Sequence, residues 1–379
     1  MSENPVWFAL ASLYAVVLTV ALAQFAPLLA GRLGLMDHPA AIKLHVRSTP
    51  LMGGVTVIGV LLPLLPIFMF VFEPEGLGNR ALSVIVIATL LVTLIGVIDD
   101  RRDLPAALRF GLALAIFALA MAIEPRIVID RLRITGLGSS LAVPGPVAFV
   151  FTLMIHVGFI NSVNMADGKN GLVIGLVVIW LLFLLSVGPI GLIIVVLPLL
   201  QALGVLLVYN LRGKLFLGDG GTYGLSAFLG MVSIYAYNLA DGHVTADTLA
   251  LLYLVPGIDM LRLFFVRLMR GRSPFAGDRN HLHHLLEDGF GWPAGLIIYL
   301  ALVSIPNLIA LVAPLLVPTL FVGGALTYAV LYLGLSLDRR RRLARGSWRA
   351  PASPIDAAVG ATGPVPVADT GSSVRNRDG

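Results

Sequence analysis

The chain contains no cysteine. Disulfides, thiolate nucleophiles and thiolate metal sites are excluded, and the redox compartment is left open. Charge is scarce as well. Only 12% of the 379 residues are Asp, Glu, Lys or Arg, about half the roughly 25% of an ordinary soluble domain. Apolar residues fill the space: 58% of the chain, with a mean hydropathy of +0.93. These figures specify an all-α polytopic membrane protein. A basic leader ahead of a short apolar run is also lacking, so no cleavable signal peptide is expected and the first run reads as the first span. No internal repeat is found, which weakens a transporter built from inverted repeats.

A helical span needs about 20 apolar residues. Eleven runs qualify: 6–30, 53–72, 81–98, 106–123, 146–160, 172–187, 190–208, 222–239, 248–266, 293–313 and 315–336. The fifth and sixth are short and flank a polar stretch. Pro189 and Pro314 punctuate the boundaries after the sixth and tenth. The net charge of +5 reports topology rather than nucleic-acid binding. With eleven alternating spans, only Arg80, Arg126, Arg131 and Arg133 fall on one side, and the other 22 of the 26 Lys and Arg fall on the opposite side. The positive-inside rule then places the N-terminus outside and the C-terminus in the cytoplasm. The outside loop 124–145 alternates and carries a glycine turn, the pattern of a small extracytoplasmic β-hairpin. Arg339–Arg342 anchors the last span and meets anionic lipid. One transmembrane catalytic domain over 1–344 is expected, followed by a disordered Pro/Ala/Gly/Ser-rich tail over 345–379.

The remaining polarity is gathered into islands on the cytoplasmic side. Asn161, Asn164 and Asp167 recur at a spacing of three, one helical face, followed by Gly168 and Gly171. Amide and carboxylate edges of this kind read a base or sugar; their plain structural use is bonding between helices. Asp99 and Asp100, with Asp103 close by, suit a hard divalent cation, which takes one or two protein carboxylates plus phosphates. They also suit a solvated helix end whose acids pair with Arg101 and Arg102. Asp219 lies in the glycine-rich turn Gly218-Asp-Gly-Gly-Thr222, ahead of a helix N-terminus that favours anions. It reads either as a metal or phosphate contact or as an ordinary helix cap. His281, His283 and His284 fall within four residues, beside Arg279. Without thiolates, phosphate binding is preferred to zinc. The loop with Lys43 and His45 adds cations, and Gly53–Gly54 reads as a tight turn. Together these islands describe a phosphate-and-metal site at a membrane surface.

In order and spacing the motifs resemble the polyprenyl-phosphate N-acetylhexosamine-1-phosphate transferases, the WecA/TagO/MraY superfamily of glycosyltransferase family 4. The resemblance covers roughly 31–292. It rests on Asp37-x-Pro39…Lys43-x-His45…Pro50-Leu-Met-Gly-Gly54, Asp99-Asp100-Arg-x-Asp-Leu, Asn161-x-x-Asn164-x-x-Asp167-Gly-x-x-Gly-Leu, Gly218-Asp219-x-Gly and Asp278-Arg279-x-His281-x-His283-His284. The last is closer to the WecA/TagO branch. The resemblance implies a bacterial inner-membrane enzyme. It would transfer an N-acetylhexosamine 1-phosphate, by default N-acetylglucosamine 1-phosphate, from a UDP-N-acetylhexosamine to polyprenyl (undecaprenyl) phosphate, releasing UMP. That is a first membrane step in a cell-envelope polysaccharide such as O-antigen, with a modified sugar such as a 6-deoxy amino sugar as the alternative. It further implies Mg²⁺, with Mn²⁺ as alternative, held by Asp219 and Asp100. Asp99 would deprotonate or orient the lipid phosphate, and Asn164 and Asp167 would hold uridine. Arg279 and the three histidines would bind diphosphate, with Lys43 and His45 nearby. A homodimer is a further expectation, and no nucleic acid is involved. Asn170 stands where the family often has a second aspartate, and Thr222 where it has serine. The rival from another class is a transporter of nucleotide sugar or phosphorylated lipid, which needs substrate groups near mid-membrane.

Overall fold

The computed structural model describes residues 5–38, 48–70, 79–240, 244–273 and 279–345. Lys43, His45, Asp278 and nearly all of the expected tail lie outside these residues. Water-poor surroundings leave a backbone no partner but itself, so the apolar runs become helices. The helices are α1 (Pro5–Gln24), α2 (Ala26–Leu33), α3 (Gly53–Phe70), α4 (Asn79–Arg102), α5 (Ala106–Ile123), α6 (Gly145–Ala166) and α7 (Leu172–Val187). They continue as α8 (Ile193–Leu211), α9 (Gly218–Leu239), α10 (Ala246–Leu252), α11 (Leu254–Met269), α12 (Leu282–Phe290), α13 (Ala294–Val312) and α14 (Val317–Ala344). Pro105, Pro144, Pro189, Pro293 and Pro314 stand at joints between them, where a missing N–H does no harm.

Six helical stretches are long and apolar enough to cross a membrane: Arg80–Arg102, Ala106–Ile123, Gly145–Ala166, Ile190–Leu211, Ala294–Val312 and Pro314–Ala344. Two bent pairs raise this to eight. Phe8–Gln24 meets Ala26–Leu33 at 75°, and Ala246–Leu252 meets Leu254–Met269 at 77°. This is an all-α, multi-pass membrane protein. Length and apolarity support six to eight spans among the described residues, where eleven runs were expected, because three runs are shorter or less oily. Gly53–Pro66 and Leu172–Val187 are short. The third, α9, is rich in glycine, serine and tyrosine.

The composition of α9 follows from its place. Every residue from Gly220 to Tyr237 is buried, and α9 packs against α4 most extensively, and also against α3, α6 and α7. A helix wrapped by other helices need not be oily, and small residues let backbones approach. Gly53 and Gly54, expected to form a tight turn, are instead the first two residues of α3. A Cβ on Gly54 would come within 2.9 Å of the Gly220 Cα. A Cβ on Gly96 of α4 would land on the Asp219 carbonyl oxygen. Gly96→Ala should therefore cost about 1–3 kcal/mol by overpacking, read as a lower melting temperature in detergent, and should reduce activity by displacing Asp219.

Two short antiparallel pairings complete the described structure. Strand β1 (Met36–Asp37) pairs with β2 (Thr49–Pro50), and β3 (Arg131–Leu132) with β4 (Leu141–Ala142). The second pairing sits at the carboxyl end of α9: the Arg133 N–H donates to the Tyr237 hydroxyl at 2.8 Å, and that hydroxyl donates to the Arg131 carbonyl at 2.7 Å. Asp219 is at the other end. The 22 residues of α9 span about 33 Å, close to the roughly 30 Å of a bilayer core.

Candidate functional site

The site is built where α4 ends and α9 begins. The first amides of a helix lack intrahelical partners and attract negative charge. Asp100, in the last turn of α4, supplies it: its Oδ1 accepts from Asp219 N at 2.8 Å and its Oδ2 from Gly220 N at 2.9 Å. Asp219, read from sequence as a cap or ligand, is not the cap; Asp100 is. The neighbouring Asp99 is only 4% exposed. Its Oδ1 accepts from Leu104 N at 2.7 Å, and its Oδ2 is ion-paired with Arg109 of α5. The same Arg109 nitrogen lies 3.4 Å from Asp219 Oδ2. One guanidinium thus bridges two carboxylates from different helices. Arg101 and Arg102, the sequence-suggested partners of these acids, are exposed.

The short apolar run that ends at 160 is compatible with a helix that breaks there or one that extends into the polar stretch. Helix α6 extends to Ala166, and only Asp167–Gly171 leaves it. Asn161 and Asn164 therefore project from a continuous helix. Asn161 returns a bond to the Val157 carbonyl at 2.8 Å, and Asn164 Oδ1 accepts from the Thr222 hydroxyl of α9 at 3.0 Å. Asp167 is half-buried in the turn. Burial, and then the nearby Asp100 carboxylate, push its pKa up to about 7. Gly171 has φ +84° and leads into α7. Its N–H donates to Asn210 Oδ1 at 2.6 Å, while Asn210 Nδ2 donates to the Leu215 carbonyl at 2.9 Å. Asn210 thus ties the α6–α7 turn to the approach of α9.

The histidines come from the start of α12. His281 is its N-cap residue, and its Nδ1 lies 2.9 Å from Asp259 Oδ2 on α11. His283 is buried against Gly168, where any Cβ would collide with its Nε2. That contact explains the glycine. Burial and the neighbouring His284 and His281 hold the His283 pKa well below its usual value. Burial and Arg279 hold that of His284 down to about 3. Both rings are neutral near pH 7, so they can offer hydrogen bonds but no positive charge. The cations here are Lys169 and Arg279, whose side chains lie 2.5 and 3.8 Å from the two Glu287 oxygens.

Two cavities share this architecture. The larger, about 1020 Å³, is lined by Asp37, Asp99, Asp100, Lys169, Asn170, Asp219 and Arg279 among others. The smaller, about 280 Å³, is lined by Arg109, Asn161, Asn164, Tyr223, Arg267, His281 and His283, with Phe110, Ala113, Val157 and Ile160 supplying an apolar wall. Asp167, Gly168 and His284 border both. The structure thus gathers Asp99, Asp100, Asn161, Asn164, Asp167, Asp219, Arg279, His281, His283 and His284 around adjoining cavities.

The family model described as glycosyl transferase family 4 matches residues 82–237. A decaprenyl-phosphate N-acetylglucosaminephosphotransferase of Mycolicibacterium smegmatis is 31% identical over 77% of this chain and 79% of its own. The chain belongs to glycosyl transferase family 4. An undecaprenyl-phosphate alpha-N-acetylglucosaminyl 1-phosphate transferase of Yersinia pestis is 29% identical over 83% of this chain and 87% of its own. The enzyme of the same name from Escherichia coli K12 is 29% identical over 69% and 71%. The family match contains the Asp99–Arg109–Asp219 bridge and the Asn164–Asp167 turn, but ends before the histidines.

Sequence reasoning missed Arg109, Asn210 and Asp259. Arg109 had a readable signal, since a charge inside an apolar run is a functional residue by default. So did Asp259, inside 248–266. Asn210 had none, because an asparagine before a basic loop is unremarkable until its partners are placed.

Proposed function

We propose that this family member transfers N-acetylglucosamine 1-phosphate from UDP-N-acetylglucosamine to a polyprenyl phosphate, giving polyprenyl diphospho-N-acetylglucosamine and UMP. The observation that carries the reading is the junction of a large polar cavity with a smaller, partly apolar one at Asp167, Gly168 and His284. The larger is at the top of the usual size range for small-molecule sites. The nucleotide sugar occupies it, with Asp167 on the shared border and Asn164 from the adjoining smaller cavity toward uridine, and Arg279, Lys169 and His284 toward the diphosphate. The lipid phosphate enters beside Arg109, and its chain leaves along Phe110, Ala113, Val157 and Ile160. The phosphate oxygen attacks the β-phosphorus, and the bond to the UMP oxygen breaks.

The carboxylates around the junction are suited to a divalent cation. No three histidine or acidic side chains form a ready-made cage among the described residues. Mg²⁺ does not need one, because it takes one or two carboxylates and completes its shell with phosphate and water. Asp219, whose side chain keeps 32% exposure and meets Arg109 at 3.4 Å, is the first candidate ligand, and Asp100 the second. When bound, the ion would offset charge developing on the diphosphate. Asp99, buried and ion-paired with Arg109, orients Arg109 and through it the lipid phosphate.

We also infer that the eleven apolar runs are eleven passes and that the site faces the cytoplasm of a bacterial plasma membrane. Arg339, first of the basic run in the last turns of α14, donates to the Arg279 carbonyl at 2.9 Å and lies 3.4 Å from Asp288. The positive anchor and the site therefore share one end of the bundle, the cytoplasmic end by the positive-inside rule.

The test is UMP release by purified protein given undecaprenyl phosphate, Mg²⁺ and a panel of UDP-N-acetylhexosamines, with and without chelator. Lipid-dependent, chelator-sensitive release with UDP-N-acetylglucosamine is expected. Release only with a 6-deoxy amino sugar would move the donor, and saturable binding without release would favour a transporter. A pH dependence is also expected. Uridine offers an N–H donor that a carboxylate accepts better than a carboxylic acid. UDP-sugar affinity should therefore rise as pH rises through about 7, where Asp167 ionises. It should be flat in Asp167→Asn, as measured by titration calorimetry.

A further inference from the structure

The family match stops at Tyr237, yet a buried polar cluster beyond it reaches the site. Asp259 sits in α11, inside a run read as a membrane span, and is 4% exposed. A carboxylate in such a place is costly unless every lone pair is used. Here they are used. Asp259 Oδ1 accepts from the Tyr328 hydroxyl of α14 at 2.6 Å and from Arg262 at 2.8 Å. Its Oδ2 faces His281 Nδ1 at 2.9 Å, and the Leu282 N–H lies 3.3 Å away. Arg262 in turn donates to the Tyr328 hydroxyl at 2.9 Å and stacks 3.9 Å over the Tyr332 ring. Three elements separated by tens of residues thus converge on one carboxylate, and its outlet toward the cavity is His281.

We propose that Asp259 is a positioning residue for the transfer reaction: it holds the proton on His281 Nδ1 and so presents Nε2 to the cavity, with Tyr328 of α14 and Arg262 holding Asp259 in turn. The imidazole nitrogens lie on opposite sides of the ring, and a carboxylate at Nδ1 settles which one carries the hydrogen. His281 lines the smaller cavity with Arg109, Tyr223 and Asn161, so the freed Nε2 is the nitrogen available to a phosphate or sugar hydroxyl. His281 also lies 5.3 Å from His283 in a near-parallel stack with an interplanar angle of 14°, so turning one ring disturbs the other. Helix α14 thereby becomes part of the site's support, although only Val317 and Tyr328 of it are buried.

This inference rests on the transferase reading, so its test has one arm with turnover and one without. In the kinetic arm, Asp259→Asn should lower kcat by about 10- to 100-fold, the usual cost of losing a partner that orients a histidine, with KM for the UDP-sugar little changed. In a His281→Gln background the same substitution should add almost nothing, because the two residues act as one unit. A change of less than about twofold in kcat, or an equal loss in both backgrounds, would overturn the proposal. The second arm is ¹⁵N NMR of histidine-labelled protein in detergent, with the His281 signal assigned by its absence in His281→Gln. The wild-type ring should carry its proton on Nδ1, and Asp259→Asn should move it. A neutral wild-type ring protonated on Nε2 would refute the proposal whether or not Asp259→Asn folds. Absence of UMP release by the wild-type protein would refute the transferase reading, and the NMR arm would still decide whether Asp259 sets the His281 tautomer.

Discussion

Asp219→Asn is expected to lower UMP release by about three orders of magnitude, comparable to removing a principal stabiliser of transition-state charge. The residue opens α9, its carbonyl is pressed against Gly96, and its side chain meets Arg109 at 3.4 Å. It is therefore held from the backbone side and the side-chain side at once. The amide keeps the shape and a weak contact with Arg109 but loses the negative charge that a divalent cation requires. The variant should stay folded, because the helix start is capped by Asp100 rather than by Asp219. Melting in detergent should thus be unchanged. Turnover equal to wild type would remove Asp219 from the metal site.

Arg109→Gln is expected to affect both folding and turnover. Asp99 is nearly sealed from water and relies on Arg109 for its countercharge. Breaking such a pair from one side typically costs 3–5 kcal/mol. Arg109 keeps 26% of its side chain exposed, so a loss of about 3 kcal/mol, the lower end, is expected. Turnover should fall by about a hundredfold, because the lipid phosphate loses its guanidinium and Asp219 loses its bridge. The double variant Asp99→Asn with Arg109→Gln separates the two effects. It leaves no buried unpaired charge, so melting should recover while turnover does not. Recovery of both would mean that Arg109 serves the fold alone.

The class of this protein was legible in composition. With so little charge and such long apolar runs, helices crossing a membrane are the arrangement that satisfies the backbone. The polar motif residues were legible too, because acids, amides and cations stand out against an apolar chain, and the structure gathers most of them around adjoining cavities. Their spacing carried the family resemblance that the relatives bear out.

What sequence spacing did not determine was how those residues partner. Asp99 pairs with Arg109 on the next helix, not with the adjacent Arg101 or Arg102, because the turn after α4 folds α5 back across it. Asp100 became a cap because α9 begins beside the end of α4. Gly53 and Gly54 turned out to serve close packing rather than a turn, since the helix they begin lies against α9. His281 acquired its partner from 22 residues away and, through Asp259, a link to α14. Residue chemistry is local and survives in a one-dimensional string. Countercharges, caps and tautomers are set by whichever group lies a few ångströms away, and only the tertiary structure decides which group that is.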